Sequence, residues 1–383
     1  MEQLIPLDYT TLRVIWWALL GFLLAAFAVM DGFDLGVATV LPLVSRTDVE
    51  RRVVFNVLGP VWEGNQVWLI VGGGVVFAAW PLLYAMAFSG FYLAMMLLLI
   101  ALILRPICFK YRSKMPDARW RSTWDALLCL CGLVAALVFG VAVGNVIVGV
   151  PFVFALDTMR PIYQGGFFGL FMPFPVLCGV ISVCMLAMHG AVLLAWKTEG
   201  LVAVRARRCV RVFGVITVVL FILAGVWVAR GVDGFSIVGA VHTGLASNPL
   251  DKAVAVTSGG WMRNYARWPL IWIAPAMGVA GALLAVGLAG LRSCAPAFLA
   301  SSISVVGVVW TFGLSLFPFL LPSSVAPDVS LTVWDASSSH MSLWIMLLAT
   351  CLLLPLVMLY TAWVYRVMRG KVTDKTVGGG HAY

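Results

Sequence analysis

Apolar runs of about 20 residues or more recur from one end of this chain to the other, at 14–44, 54–78, 81–108, 123–148, 166–196, 212–229, 269–291, 294–321 and 341–367. An α-helix of that length crosses the hydrocarbon core of a bilayer, where every backbone N–H and C=O must be satisfied within the segment itself. The other spanning structure, a closed β-barrel, is built from strands of about ten residues with alternating polarity, which these runs do not show. The expected fold is therefore an all-α integral membrane protein, a bundle of about nine transmembrane helices. Hydrophobic residues make up 62% of the chain and charged residues 11%, so no stretch remains for a separate soluble domain. The expectation is one transmembrane helical domain over 1–383, with a longer extracytoplasmic loop at 230–268 folded as a small surface cap and a short cytoplasmic tail at 369–383.

The formal charge of +9 points to topology rather than to nucleic acid, because Lys and Arg fall in short clusters between apolar runs. One set of alternate connections holds Arg46, Arg51 and Arg52, then Lys110, Arg112, Lys114, Arg119 and Arg121, then Lys197, Arg205, Arg207, Arg208 and Arg211, then Arg292, and last Arg366, Arg369, Lys371 and Lys375. The opposite set holds only Arg13, Arg160, Arg230, Lys252, Arg263 and Arg267. The positive-inside rule then predicts an N-terminus outside and a C-terminus in the cytoplasm, which an odd number of spans allows. Glu2, Asp8 and Arg13 precede the first run without a small-residue cleavage site, so no removable signal peptide is expected.

Charge at bilayer depth costs at least a few kcal/mol per group and asks for a reason. Asp34 lies about 18 Å along a helix from Arg46, and Glu63, in "WEGNQVW", about 16 Å along the next helix from Arg52, at 1.5 Å per residue. If the first two helices are antiparallel neighbours, both carboxylates reach similar depth and can face each other. Asp31 and Asp34 are spaced i, i+3 and share a helix face, with Gly32 and Gly36 leaving room beside them. Arg105 sits roughly 8 Å inside the same surface by the same rise, placed to pair with a carboxylate or to hold the mouth of a hydrated path. Such a set suits a chain of protonatable groups reaching half way across from the cytoplasm. It also suits a structural ion pair that only fixes packing. Asn65, Gln66 and Asn145 are expected to make interhelical hydrogen bonds, and Asp125 to be a helix-terminus charge beside a basic loop.

Histidine is scarce: of His189, His242, His340 and His381, only His189 lies well inside a membrane segment. A haem-bearing bundle needs inward axial ligands, usually His or Met. His189 is read as a packed, hydrogen-bonded core residue, and no metal is expected on this chain. The eight cysteines mostly sit in apolar segments; Cys129 and Cys131 form a C-x-C whose side chains diverge on a helix, so neither a metal site nor a disulfide is expected. Trp16, Trp17, Trp80, Trp120, Trp124 and Trp196 read as interfacial anchors, whereas Trp62 and Trp68 flank Glu63 at greater depth and suit packing beside a relay or along an apolar oxygen or quinone path. Two rivals stay open on the residues alone. A proton-coupled secondary transporter also buries carboxylates on neighbouring helices, although the repeats and paired interrupted helices common in that class are not evident beyond Gly59-Pro60. A purely structural scaffold is the other.

The motifs "DGFDLG", "ERRVVFN", "GNQVWLI", "FAAWPLLYAMAFSGFY", "RP" at 105 and 106, "YRSK", "RWRSTWD", "AGVWV", "SNPLDK", "FPFLLPSS", "LTVWDASSS" and "LYTAW" follow one another in this order, "DGFDLG" and "GNQVWLI" being the specific ones. Through them the chain resembles subunit II of the cytochrome bd-type quinol oxidases. It implies a nine-helix, non-haem subunit in the bacterial cytoplasmic (inner) membrane, paired as a heterodimer with a haem-bearing subunit I that holds haems b and d. It further implies that quinol is oxidised and oxygen reduced to water, with protons taken from the cytoplasm. Subunit II is not catalytic alone. Small single-helix subunits and a structural quinone are further features that the resemblance brings. By the same resemblance Asp34, Glu63 and Arg105 would belong to an acidic proton path, with Asp31 as a helper, and Trp68 would lie near an apolar oxygen entrance. The family's acid in the "WEGNQVW" element is aspartate; Glu63 keeps the titratable group and lengthens it by one methylene.

Overall fold

The computed structural model describes residues 5–155, 157–239 and 241–373. Asp8 caps the first helix, its carboxylate accepting from the Thr11 N–H at 2.9 Å, and α1 (Tyr9–Val44) then runs for 36 residues. That is about 54 Å at 1.5 Å per residue, longer than a bilayer core of about 30 Å. The other helices are α2 (Asp48–Leu58), α3 (Trp62–Ala79), α4 (Pro81–Gly90), α5 (Tyr92–Tyr111), α6 (Ala118–Val148), α7 (Pro173–Lys197), α8 (Gly200–Gly231), α9 (Arg263–Arg267), α10 (Ile273–Gly290), α11 (Cys294–Leu316) and α12 (His340–Val367). Three antiparallel two-stranded hairpins join them: β1 (Phe152–Ala155) with β2 (Arg160–Tyr163), β3 (Asp233–Val238) with β4 (Ala253–Ser258), and β5 (Phe319–Leu321) with β6 (Leu331–Thr332). Among the described residues eight helices are long and apolar enough to cross a membrane, and the pair α3 and α4, bent by 119°, makes nine if counted as one span. The fold is an all-α multi-pass membrane bundle with small hairpins in its connections.

The bundle is organised around α1, which packs against α3, α6, α7 and α11. Its crossing with α7 is made by glycine on both sides. A Cβ on Gly36 would lie 1.8 Å from the Leu186 carbonyl oxygen, and one on Gly190 would lie 2.3 Å from the Val37 nitrogen. Backbones this close leave no space for any side chain. The second half of α1, from Asp31 to Leu41, is buried without interruption.

Several boundaries differ from the hydropathy reading. The run 54–78 is broken at Gly59-Pro60-Val61 into α2 and α3, because Pro60 cannot donate to a helical ladder and its ring crowds the preceding turn. The short turn expected near "AWPL" falls at Trp80, and the segment after it is split again at Phe91 into α4 and α5. Residues 167–171 form a 3-10 helix, so the fifth span starts at Pro173 rather than at 166; the eighth ends at Leu316, and 319–321 is strand. The sixth starts at Gly200, well before 212, so Arg205, Arg207, Arg208 and Arg211 are helical rather than in a loop. Their long aliphatic stems let charged heads reach the surface from a helix that projects beyond the apolar layer. The loop 230–268 is built on the β3–β4 hairpin followed by α9.

The basic clusters come together at one end of the bundle. Thr47 and Glu50 form a capping box at the start of α2, and Arg205 from α8 donates to the same Glu50 carboxylate at 2.8 Å. Burial alone would push the Glu50 carboxyl up, but the amides of Arg46 and Thr47 and the Arg205 guanidinium hold it below the usual glutamate range. Asp125, read from sequence as a simple helix-terminus charge, is a buried hub that accepts from Arg51 at 2.7 Å and Arg112 at 2.5 Å; Arg112 and Arg121 also share Asp48. Of the tail, Lys371 pairs with Glu199 at 3.2 Å and the Val372 amide donates to the Lys197 carbonyl, while residues 374–383, including Lys375 and His381, lie outside the described residues.

At the opposite end Arg13, counted above as a loop charge, is instead inside α1 and fully buried. It lies over the Tyr9 ring and donates to the carbonyls of Thr243 and Leu245 and to the hydroxyls of Ser247 and Ser337, tying two distant connections to α1. Replacing it with Met keeps the stem and removes every one of these donors. The expected result is a bundle that still inserts but whose 241–252 segment is cut by added protease many times faster than in the parent, because buried carbonyls left unpaired favour local opening; an equal cleavage rate would show that the clamp is dispensable.

Candidate functional site

Asp31 and Asp34 face the inside of the bundle from the middle of α1, as their i, i+3 spacing requires. Arg105 reaches Asp31 from α5, Nη2 to Oδ1 at 2.7 Å, with both side chains at 1% exposure or less. Arg105 is thus closed into an ion pair with a carboxylate, the first of the two arrangements its depth allows. Asp34 is equally buried and has a different partner: Asn65 on α3 donates from Nδ2 to its Oδ2 at 2.8 Å. Asn65 in turn accepts from the hydroxyl of Tyr365 on α12 at 2.7 Å. Four helices therefore converge on one polar cluster in the bundle, Asp31 and Asp34 from α1, Asn65 from α3, Arg105 from α5 and Tyr365 from α12.

Among the described residues, Asp31 Oδ2, Asp34 Oδ1, and Arg105 Nε and Nη1 have no hydrogen-bond partner. Buried groups of this kind are expensive to leave unmatched, and each can still accept or donate toward a water or a passing proton. Tyr365 also lines a cavity of about 250 Å³ at the basic end, walled by Phe33, Asn56, Pro60, Leu193, Lys197 and Lys371 among others. Asp34 thus lies two hydrogen bonds from a cavity at the surface that carries the basic clusters.

The expected facing of Asp34 and Glu63 is corrected. Glu63 lies in the first turn of α3 with its side chain exposed, on the outward side that also carries Val67 and Ile70. Residues 63 and 65 are about 200° apart around a helix, so the rotation that brings Asn65 onto Asp34 turns Glu63 away. The same reading expected Asn65 to bond between helices, which it does. Asn145 bonds the carbonyls of Val141 and Leu170, the latter in the 167–171 turn. Trp62 is buried and stacked on Phe109 with ring centroids 5.7 Å apart, next to the cluster, and Trp68 is buried against Phe22 further along α3. Tyr365 was not foreseen. The available signal is a second tyrosine, after Tyr360, near the end of the last apolar run, which a membrane-interface belt explains equally well.

The residues do not fit a haem on this chain's buried histidine. His189 Nδ1 is 2.8 Å from the Ser301 hydroxyl, its Nε2 is 3.0 Å from the Val29 carbonyl, and Phe298 stacks on the ring at 4.9 Å. Both nitrogens are committed to protein groups. Among the described residues no group of three or more His, Cys, Asp or Glu side chains could hold a metal ion.

Comparison with known proteins agrees with this architecture. The family model described as cytochrome bd terminal oxidase subunit II matches residues 12–368. The chain is 45% identical over 371 residues to cytochrome bd-I ubiquinol oxidase subunit 2 of Escherichia coli strain K12, covering 97% of this chain and 98% of that one. It is 44% identical over 366 residues to a probable cytochrome oxidase subunit 2 of Haemophilus influenzae, with 96% of each covered. The fold matches a chain of the bd oxidase from Geobacillus thermodenitrificans with a TM-score of 0.68 at 16% identity, covering 94% of this chain and 98% of that one. A polar cluster built on "DGFDLG" inside a multi-pass bundle, a match along almost the whole length and close relatives over the same span lead to one conclusion: this chain belongs to the cytochrome bd terminal oxidase subunit II family, and works as a subunit of a quinol-oxidising oxidoreductase complex in partnership with a subunit I.

Proposed function

We propose that this subunit delivers protons from the cytoplasmic side toward the oxygen-reducing centre, with Asp34 as the titratable relay. The observation that supports it most is the division of labour between the two aspartates. Asp31 is neutralised by Arg105 at 2.7 Å, whereas Asp34 has only the neutral amide of Asn65 on one oxygen. A carboxylate without a cation of its own can gain and lose a proton, and one locked in a buried ion pair cannot do so readily. Arg105 then acts as the electrostatic gate beside Asp34, and Asp31 is its counter-ion.

Glu63 is the second acid of the path on this reading, placed on a face that meets subunit I. Its exposed carboxylate shares that face with Val67 and Ile70, and a charge on such a surface is tolerated at low cost only against protein or water. On this reading subunit I carries haems b and d, which the bonding of both His189 nitrogens to protein groups supports. Membrane quinol supplies the electrons and oxygen receives them, with Trp62 and Trp68 packing an apolar oxygen or quinone path. The exposed outer faces of α5 and α12 offer room for lipid, small single-helix subunits or a structural quinone. The complex sits in the bacterial inner membrane as a heterodimer. The chain forms one transmembrane domain, with its N-terminus and the 230–268 cap outside and the tail from 369 in the cytoplasm. A transporter is not favoured for a member of this family, so a purely structural role is the reading to test against.

In the assembled oxidase, Asp34→Asn and Glu63→Gln are expected to lower quinol-dependent oxygen uptake by about 10²-fold or more, the usual size of a lost proton-transfer group, while the haem absorption spectrum stays as in the parent. Full turnover in both variants would leave only the scaffold role.

A further inference from the structure

The amide of Asn65 can turn only one of its two ends toward Asp34. Its Oδ1 is held by the Tyr365 hydroxyl at 2.7 Å, so Nδ2 is the end that meets Asp34 Oδ2 at 2.8 Å. Were the amide reversed, its carbonyl would face a carboxylate oxygen, an arrangement that is favourable only when Asp34 carries a proton to donate. The charged or titratable groups around this point are Asp31 on the same helix, Arg105 from α5 and Tyr365 from α12. Beyond them Cys131 on α6 adjoins Arg105, α7 offers His189, occupied by Ser301 and Val29, and α3 turns Glu63 outward. The orientation of Asn65 is therefore held from both sides, by a carboxylate that when ionised can only accept and by the hydroxyl of Tyr365, a residue in the wall of the 250 Å³ cavity at the basic end.

We propose that Tyr365 is a positioning residue for proton uptake: by donating to Asn65 it keeps the amide N–H on Asp34, and so couples the relay to the cavity at the basic end. The proposal rests on the reading of Asp34 as a relay. With Asp34 ionised, the line of donors runs from Tyr365 through Asn65 to the carboxylate. Once Asp34 takes a proton, a reversal of the amide lets Asn65 accept from the carboxyl and donate to the Tyr365 oxygen, which frees the phenol proton to turn toward the cavity. The phenol ring also meets Phe33 edge-on, centroids 6.4 Å apart, a contact that Tyr365→Phe keeps.

The test uses the assembled oxidase with subunit I present. Tyr365→Phe removes one oxygen atom and keeps the ring. Without the hydroxyl each form of the amide loses one bond, but the chain of donors that ends on the ionised carboxylate is charge-assisted and loses more, so the pH profile of oxygen uptake moves to higher pH by up to about one unit. Asn65→Leu, which breaks both bonds, moves it the same way by at least as much. In the Asn65→Leu background Tyr365→Phe produces no further shift, because the phenol acts through the amide. The proposal is overturned if neither single variant moves the profile, or if the two shifts add. Failure of the underlying reading is seen separately: Asp34→Asn then turns over at the parent rate, whereas a slow Asp34→Asn alongside an unmoved Tyr365→Phe removes the positioning role alone.

Discussion

Replacing Arg105 with Met is expected to prevent the oxidase from accumulating, and replacing Asp31 with Leu at the same time is expected to restore much of it. The pair is as buried as any ion pair among the described residues, with side-chain exposures of 1% and 0%, and joined at 2.7 Å. Breaking a buried ion pair from one side leaves the other charge uncompensated and costs about 3–5 kcal/mol, whereas replacing both partners with apolar groups is often neutral or even stabilising. Against total stabilities of about 5–15 kcal/mol, the single change consumes a large share. The measurement is the yield of haem-bearing complex in solubilised membranes from the two single variants and the double variant. A double variant no better than Arg105→Met would mean that Arg105 holds something other than Asp31. The same double variant speaks to mechanism. If the role given to the arginine as an electrostatic gate is right, the restored complex takes up oxygen slowly, because Asp34 has lost the neighbouring positive charge.

Gly36→Val is expected to abolish assembly outright, and Gly36→Ala to reduce it severely. The added Cβ would sit 1.8 Å from the Leu186 carbonyl oxygen and 2.6 Å from its carbon. Non-bonded carbon contacts settle at about 3.5–4.0 Å, so α1 and α7 would have to part by roughly 1.5 Å or more. Because the obstacle is backbone, no rotamer change can absorb it, and the separation would also loosen the Asp31 and Asp34 side of α1. Overpacking in a tight core typically costs about 1–3 kcal/mol, and a backbone clash belongs at or above the top of that range. Gly21→Ala on the same helix is the control: nothing lies within 4 Å of its new methyl group, and alanine favours the helix by up to about 1 kcal/mol. Normal yield from Gly36→Ala would show that the crossing of α1 and α7 is looser than described.

How much of this was legible beforehand can be judged residue by residue. The spans were readable because crossing a bilayer is close to a one-dimensional criterion: an apolar run either covers the core or does not. Where a run stays apolar through a break, as at Val61 and Trp62 after Pro60, hydropathy passes over it, and only the missing ladder donor reveals the end of α2. The helical Arg205 to Arg211 stretch escapes hydropathy for the opposite reason: charge marks the end of the apolar run but not of the helix, which continues through it. The short hairpins between the spans carry too few residues for a periodic signal.

For the site, the sequence by itself determined which groups had to be accounted for, because Asp31, Asp34 and Arg105 stand at depths where charge is costly, and the helical period put the two aspartates on one face. Only the tertiary structure decided their partners: Arg105 with Asp31, Asn65 rather than Glu63 against Asp34, and Tyr365 arriving from a helix at the far end of the chain. Depth along a helix follows from counting residues, but the rotation of each helix about its axis is set by close contacts such as Gly36 against Gly190. A turn of about 200° separates an acid that faces the relay from one that faces outward, and no local pattern in α3 records which of the two α1 will meet.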